Sequence, residues 1–574
     1  MTVNVNVTIN GQPLTVPEGT TILEAAKQMG IEIPTLCHLK DINELGVCRV
    51  CVVEVKGART LLPSCITKVA EGMEVYTHSE KAKRARAMVM NLIMANHPKD
   101  CLTCNRSGDC ELRTLADRMG IRELEIETPA KHLPLDNTNP SIIRDPSKCI
   151  LCRRCVSVCS QVQGIAAIGP INRGIDLSIG PAFNRQLEET ACVLCGQCVS
   201  VCPTGALTER FNLKDVWAAL NDPEKHVVIQ IAPAVRVSLG EELGEKPGTI
   251  VTGKMVEALR KVGFDRVFDT DFTADLTILE EGNEFLERLK GNGKLPLITS
   301  CSPGWIKFVE HFYPEFIDNL SSCKSPQQMF GAIIKTYYAK KYNLDPAQIF
   351  TVSAMPCTAK KFEADRPEMS SSGYKDVDAV LTTRELGLLL KEAGVRWDSL
   401  AESEFDQPFG EGTGAGVIFG SSGGVMEAAL RTLSEVVTGK ELNSLEFKAV
   451  RGLDGIKEAQ IELNGNEIKV AAVNGLGNAR RVLEGIKANE LDYHFVEIMA
   501  CPGGCIGGGG QPRPSDSESK QKRMEAIYRA DKGLPRRKSH ENPAVQEIYQ
   551  EFLQHPLSEK SHQLLHTKYI LRGK

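Results

Sequence analysis

The chain has 574 residues, 42% of them hydrophobic and 25% charged, with a formal net charge of −5; that length exceeds one core and suggests roughly three to five domains. The charge balance excludes the basic footprint of a nucleic-acid binder, and no apolar run reaches the length of a membrane span. The N-terminus, MTVNVNVTIN, has no basic n-region, apolar h-region or twin arginine, so a cytoplasmic location is expected.

In chain order, Val3, Val5, Val7 and Ile9 alternate, Asn10-Gly11 turns, and Leu14 and Val16 return, which predicts a hairpin. A short helix is expected from Thr20 to Met29, followed by Cys37, Cys48, Cys51 and Cys65 in loops. Ser79 to Asn96 has helical patterning, with Lys81, Lys83, Arg84 and Arg86 on its polar side, and runs into HPKDCLTCNRSGDC. The segment from Pro129 to Lys148 has linker composition. Two similar runs follow, CILCRRCVSVC and CVLCGQCVSVCP, and predict a pseudo-symmetric small domain.

From about Phe211 the pattern becomes α/β. Apolar strands at 227–232, 295–299, 349–354 and 494–499 suggest one sheet buried on both faces. Three of the four run into loops carrying Cys301, Cys357, or Cys501 with Cys505. Sites in open α/β sheets lie beyond the carboxyl ends of strands, so these cysteines are expected to converge. From about Gln511 the chain is polar, then helical from Ala544 to His555.

Twenty cysteines in a long chain without an export signal read as metal ligands rather than disulfides. Each Cys-x-x-Cys-x-x-Cys-x-x-x-Cys run suits a four-iron cubane, with the fourth cysteine donated to the other cluster. One cubane is thus assigned to Cys149, Cys152, Cys155 and Cys202, and the other to Cys192, Cys195, Cys198 and Cys159. A pair of zinc ribbons is the alternative; the doubled pattern and Pro203 argue against it. Cys37, Cys48, Cys51 and Cys65 resemble the two-iron loop of plant-type ferredoxins, with the longer first spacing of respiratory complex I subunits; a structural zinc site is the alternative. His97, Cys101, Cys104 and Cys110 have ligand spacing for a third accessory four-iron cluster, since imidazole can replace thiolate at iron. Cys301, Cys323, Cys357, Cys501 and Cys505 remain, and six glycines follow Ala500 in CPGGCIGGGG. Those glycines are expected to let backbone approach a bulky ligand. A phosphate loop is excluded because no GK[ST] follows.

TSCSPGW, MPCTAKKFE and EIMACPGGCIGGGG, in that order, resemble the signatures of the iron-only (FeFe) hydrogenases, and RKSHEN resembles their small C-terminal segment. The resemblance covers essentially the whole chain. It implies a multidomain α+β and α/β protein. Its parts would be a plant-type ferredoxin-like domain (1–79), a His/Cys cluster domain and linker (80–139), a two-cluster bacterial ferredoxin-like domain (140–209), an α/β H-cluster domain (210–510) and a small-subunit-like segment (511–574). The implied cofactors are one 2Fe-2S cluster, three accessory 4Fe-4S clusters, and an H-cluster, a cubane joined to a two-iron unit carrying carbon monoxide, cyanide and an azadithiolate.

The resemblance further implies reversible reduction of protons to dihydrogen, with ferredoxin as electron partner and maturation enzymes supplying the two-iron unit. The alternatives are a subunit of an NADH-linked bifurcating complex, or an electron relay without gas chemistry. By position, Cys357, Cys501 and Cys505 match cubane ligands, Cys505 bridging to the two-iron unit. Lys360 matches a residue holding cyanide, and Met355 and Met499 pack against that unit. Ser321, Glu281, Glu284 and Arg288 match a proton path ending at the thiol of Cys301. The family's second cysteine before Pro-Gly-Trp is Ser302 here, which leaves the cubane one thiolate short. Cys323 is the expected replacement, with Cys301 and Ser302 as alternatives.

Overall fold

The computed structural model describes residues 3–572 apart from 127, 129–131, 443 and 464, so the start of the expected linker lies outside the described residues. The N-terminal hairpin pairs Asn4–Ile9 with Gln12–Pro17, and both turn residues, Asn10 and Gly11, have positive φ (51° and 83°), as a two-residue hairpin turn demands. Met73–Tyr76, Val52–Val55 and Leu62–Pro63 complete a five-stranded sheet. The helix Ile22–Gln28 closes its core and starts on a Thr21/Glu24 capping box.

Helix Glu80–Ala95 follows, with the Ser79 hydroxyl accepting from the Ala82 amide. Arg86 does not share the solvated face expected of it. It is buried and donates from Nε to the Val52 carbonyl at 2.9 Å, joining this helix to the first sheet.

The two cysteine runs fold alike. Leu151 and Leu194 both have φ 57°, and Arg153 and Gly196 have φ 64° and 71° just before the helices Arg154–Ser157 and Gln197–Val201. These left-handed residues curl both loops in the same way, and in the first run Cys149, Cys152 and Cys155 line one cavity. Strand Ile142–Arg144, from the far end of the expected linker, pairs antiparallel with Leu207–Glu209 and closes this unit.

The four apolar strands do not share one sheet. His226–Ile231 and Ile349–Met355 lie in a parallel sheet between Arg266–Asp269 and Ala379–Thr382. Leu297–Ile298 and Phe495–Met499 lie in a second sheet with Asn466–Asn474 and the antiparallel Ile456–Leu463. Apolar runs say that a strand is covered on both faces, not which neighbour it pairs with. Helix Asp271–Leu289 packs against residues of both sheets, and helix Gly424–Thr438 against the second. The buried carboxylate of Glu497, in the second sheet, accepts from the amides of Gly423 and Met426 at 2.7 and 2.8 Å and anchors the start of the latter helix.

The C-terminal segment is packed onto this core. Arg523, in helix Ser517–Gly533, is fully buried and pairs with Glu241 at 2.6 Å, while Leu564 and Leu565 join an aromatic cluster around Phe268 and Phe330. The helix expected over 544–555 is a regular turn, Pro543–Ile548, continued by a wider π-helical turn, Tyr549–Leu553. No helix among the described residues is long and apolar enough to cross a membrane.

Candidate metal centres and catalytic cavity

The carboxyl ends of both sheets open onto one internal cavity. Cys301 and Ser302 reach it from the loop after Leu297–Ile298, Met355 and Cys357 from the end of Ile349–Met355, and Met499, Cys501 and Cys505 from the end of Phe495–Met499. Lys360 closes one side; its Nζ donates to the Cys301 carbonyl at 3.1 Å and to Glu363 at 2.8 Å. The wall thus offers the thiols of Cys301, Cys357, Cys501 and Cys505 and the Ser302 hydroxyl, together with two thioethers and an ammonium.

That donor set fits an iron–sulfur group. Burial pushes the thiols of Cys357, Cys501 and Cys505 above their ordinary range, and in each of the last two the neighbouring cysteine adds to the shift. A cation that binds thiolate offsets this cost of crowding buried sulfur.

Cys323 is not on the cavity wall, which corrects its expected place among the cubane ligands. Its carbonyl accepts from Ser300 Oγ at 2.6 Å and from the Tyr569 hydroxyl at 3.2 Å, and its backbone forms a bridge with His566. These bonds hold the fully buried side chain among Phe268, Phe272 and Met329. Ser302 does line the cavity, its Oγ accepting from the Ala500 amide at 3.1 Å beside Cys501. Ser302→Cys is therefore expected to slow chelator-driven loss of cubane iron by about tenfold or more. Iron release under chelator measures it, and an unchanged rate would place Ser302 out of contact with the cubane.

Gly504 and Gly508 lie on the cavity wall, and the glycine loop also meets other stretches of backbone. A Cβ at Gly507 would come 2.1 Å from the Pro502 carbonyl oxygen, one at Gly508 2.1 Å from that of Pro356, and one at Gly509 2.3 Å from that of Cys195. These glycines let protein backbone close on protein backbone. Wall positions that carried no recognisable motif include Ala232, Pro233, Thr270 and Phe419. Only the end of the apolar run at 227–232 hinted at the first two.

The accessory cysteines form a connected series. Cys195 lines the catalytic cavity, and its loop is tied to the cavity loops by Lys307 Nζ to the Cys192 carbonyl (2.7 Å), Thr358 Oγ1 to that of Leu194 (2.8 Å) and Gln197 Nε2 to that of Gly507 (2.9 Å). Cys198 lies within electrostatic reach of both Cys192 and Cys159. Cys149, Cys152, Cys155 and Cys202 line one cavity of their own. Two modules meet there: Asn43 Nδ2 bridges the carbonyls of Cys37 (2.6 Å) and Cys152 (3.2 Å), and Arg106 donates to the Cys202 carbonyl at 2.9 Å.

In the first module the Cys51 and Cys65 sulfurs are 3.2 Å apart, and Cys37 and Cys48 hydrogen-bond each other. In the second, His97, Cys101 and Cys110 share a cavity, while Cys104 packs against Gly205. His97 Nδ1 contacts the Pro98 carbonyl at 2.9 Å, its Nε2 is buried without a partner, and burial keeps the ring neutral by lowering its pKa. An orphaned imidazole nitrogen in a cavity shared with the Cys101 and Cys110 thiols fits a metal ligand.

A polar chain leads outward from Cys301. Burial, and then the charge of Glu281, push the Cys301 thiol well above the range expected from its sequence context, so it is held as S–H. Burial raises Glu281 to about 8 despite a hydrogen bond with Ser321. Ser321 Oγ donates to Glu284 Oε2 at 3.2 Å, and Glu284 pairs with Arg288 at 2.6 Å near the surface. Glu284 also accepts from the Ser322 hydroxyl at 3.0 Å.

Residues 225–509 match the C-terminal domain of the iron-only hydrogenase large subunit, and 517–572 the iron hydrogenase small subunit. The chain belongs to the iron-only (FeFe) hydrogenases. Upstream, 2–80 match a 2Fe-2S cluster binding domain, 86–125 the iron–sulfur binding region of NADH-ubiquinone oxidoreductase G, and 139–208 the ferredoxin-like domain of NADH-quinone oxidoreductase subunit 3. It is 52% identical to the NADP-reducing hydrogenase subunit HndD of Solidesulfovibrio fructosivorans, over 99% of both chains. It is 44% identical to iron hydrogenase 1 of Clostridium pasteurianum, over 98% of this chain and 99% of that one. An apo FeFe-hydrogenase from Chlamydomonas reinhardtii superposes with a TM-score of 0.57 at 45% identity, over 62% of this chain and 99% of that one. This hydrogenase therefore has 2Fe-2S and 4Fe-4S binding domains ahead of an H-cluster domain, and acts on dihydrogen and protons.

Proposed function

We propose that this hydrogenase works as the hydrogen-converting subunit of a nicotinamide-linked complex, with electrons received at its two N-terminal modules. The observation that carries this reading is the convergence of both modules on the Cys149 cubane cavity through Asn43 and Arg106, which provides two separate inputs to one series. The likeness to NADH oxidoreductase modules and to an NADP-reducing subunit supports it. Ferredoxin, expected from the sequence resemblance, is the competing donor. The test is hydrogen evolution by the matured chain with reduced ferredoxin alone. A rate well below that with a small artificial reductant is expected; equal rates would overturn the complex reading in favour of ferredoxin.

In the catalytic cavity Cys357, Cys501, Cys505 and Ser302 would hold the cubane, Met355 and Met499 would pack against the two-iron unit, and Lys360 would hold a cyanide ligand as a compact charge. When bound, the H-cluster supplies iron sites at which protons and electrons combine as dihydrogen. Cys301 presents the final proton. Protonated Glu281 reprotonates it; once a proton arrives on Glu284, that carboxyl donates to Ser321 Oγ while the Ser321 hydroxyl proton, which rests on Glu284, turns and passes to Glu281.

The pH dependence follows. Glu281 in the folded chain keeps its proton up to about 8, against an ordinary 4.5. Hydrogen evolution with an artificial donor is expected to fall as pH rises through about 8, where the relay loses its proton. The same group binds more protons folded than unfolded between 4.5 and about 8, so its contribution to stability declines with rising pH across that window. In Glu281→Gln the limb near 8 should vanish along with most activity; its persistence would assign that limb to another group.

A further inference from the structure

Cys323, displaced from the cubane, lies beside two other groups that bind metals. The ligand atoms of Glu284, Cys323 and His566 all fall within 4.8 Å of one another, with Cys323 and His566 buried. We propose that these three residues form a binding site for a borderline-soft divalent cation of the zinc class, placed at the outer end of the proton path. The site itself rests on geometry; its effect on turnover rests on the role of Glu284 given above.

Three observations carry it. The first is the supported histidine. His566 Nε2 lies 3.1 Å from Glu280 Oε2, and Glu280 is fixed by the Tyr549 hydroxyl (2.6 Å), the Leu557 amide (2.9 Å) and Ser561. A carboxylate on the far nitrogen of an imidazole is how metal-binding histidines are oriented, leaving Nδ1 for the ion. Nδ1 points to Ser322 Oγ at 2.8 Å, and that hydroxyl donates to Glu284 Oε2 at 3.0 Å. Ser322 therefore sits between two ligands and can serve as the fourth oxygen or give way to water.

The second is charge. Three carboxylates, Glu280, Glu281 and Glu284, act on the Cys323 thiol. A dication bound by one carboxylate, one thiolate and a neutral imidazole gives a neutral set, and binding releases the thiol proton. The third is size and access. Tetrahedral zinc with bonds near 2.0–2.3 Å needs ligand atoms about 3.3–3.8 Å apart, a contraction of about 1 Å that side-chain rotation supplies. Glu284 is partly exposed, and the exposed His562 ring lies 4.4 Å from that of His566. A cation there takes the Glu284 carboxylate away from Ser321 and interrupts proton delivery.

The test uses matured holoenzyme titrated with zinc ion alone, read by zinc X-ray absorption and by hydrogen evolution. The expected result is one zinc per chain with a single sulfur at about 2.3 Å among nitrogen and oxygen ligands. Evolution should fall by about tenfold and recover with chelator. Cys323→Ala should lose the sulfur and the inhibition while keeping its zinc-free rate; Cys323→Ser, which preserves shape, should do the same, and His566→Gln should weaken binding about tenfold. Zinc without sulfur coordination, or equal inhibition of the Cys323 variants, overturns the site. Zinc held through Cys323 without loss of rate upholds the site and instead overturns the passage of protons through Glu284.

Discussion

Replacement of Cys301 by alanine is expected to lower hydrogen evolution by about two to four orders of magnitude, the range of a positioned proton donor. The thiol is the only titratable side chain of the TSCSPGW loop on the cavity wall, and the polar chain behind it starts at Glu281. Ser302, the neighbouring hydroxyl, accepts from the Ala500 amide, and an alcohol is too weak an acid to replace the thiol as proton donor. The check is a rate measurement beside an infrared spectrum. Carbon monoxide and cyanide bands should persist, because Cys301 holds no iron in this arrangement. Loss of the bands with the rate would instead make Cys301 a ligand.

Replacement of Cys505 by alanine should abolish turnover and remove the carbon monoxide and cyanide bands altogether. Cys505 starts the short turn Cys505–Gly507, between Gly504 at φ 85° and a backbone clamped by Gln511 Nε2 on the Cys505 carbonyl at 3.1 Å. A thiol fixed by this much backbone cannot be replaced by a neighbour swinging in. The accessory clusters, ligated by residues 37–202, should keep their paramagnetic signals in the reduced variant, which separates loss of the H-cluster from misfolding. Retention of the infrared bands would remove Cys505 from its bridging position.

Recognition of the cluster modules needed little more than local spacing. Cysteines two and three residues apart on one loop have few ways to point except at a common centre, and the left-handed turns at Leu151, Arg153, Leu194 and Gly196 curl both runs in the same way. The hairpin over Asn10-Gly11 and the helix capped by Thr21 were legible for the same reason: the residues that define them are neighbours in sequence. Buried strands at 226–231, 349–355 and 495–499 were visible as apolar runs, and their ends pointed to the cavity.

Long-range placement was not legible. Which strands share a sheet depends on pairing across more than a hundred residues, and apolar runs carry no register, so one expected sheet became two. Arg86 reads as a solvated charge until its carbonyl partner at Val52 is known. That the glycines after Ala500 also admit other backbone is invisible until the carbonyl oxygens of Pro356 and Cys195 are placed. The fate of Cys323 shows the boundary most clearly. By itself the sequence determined that five cysteines were left for the catalytic region and that Ser302 stood where a thiolate was expected. Only the tertiary structure placed Cys323 beside Glu284 and His566 and off the cavity wall, because its direction is set by backbone bonds to Ser300, Tyr569 and His566, residues up to 246 positions away.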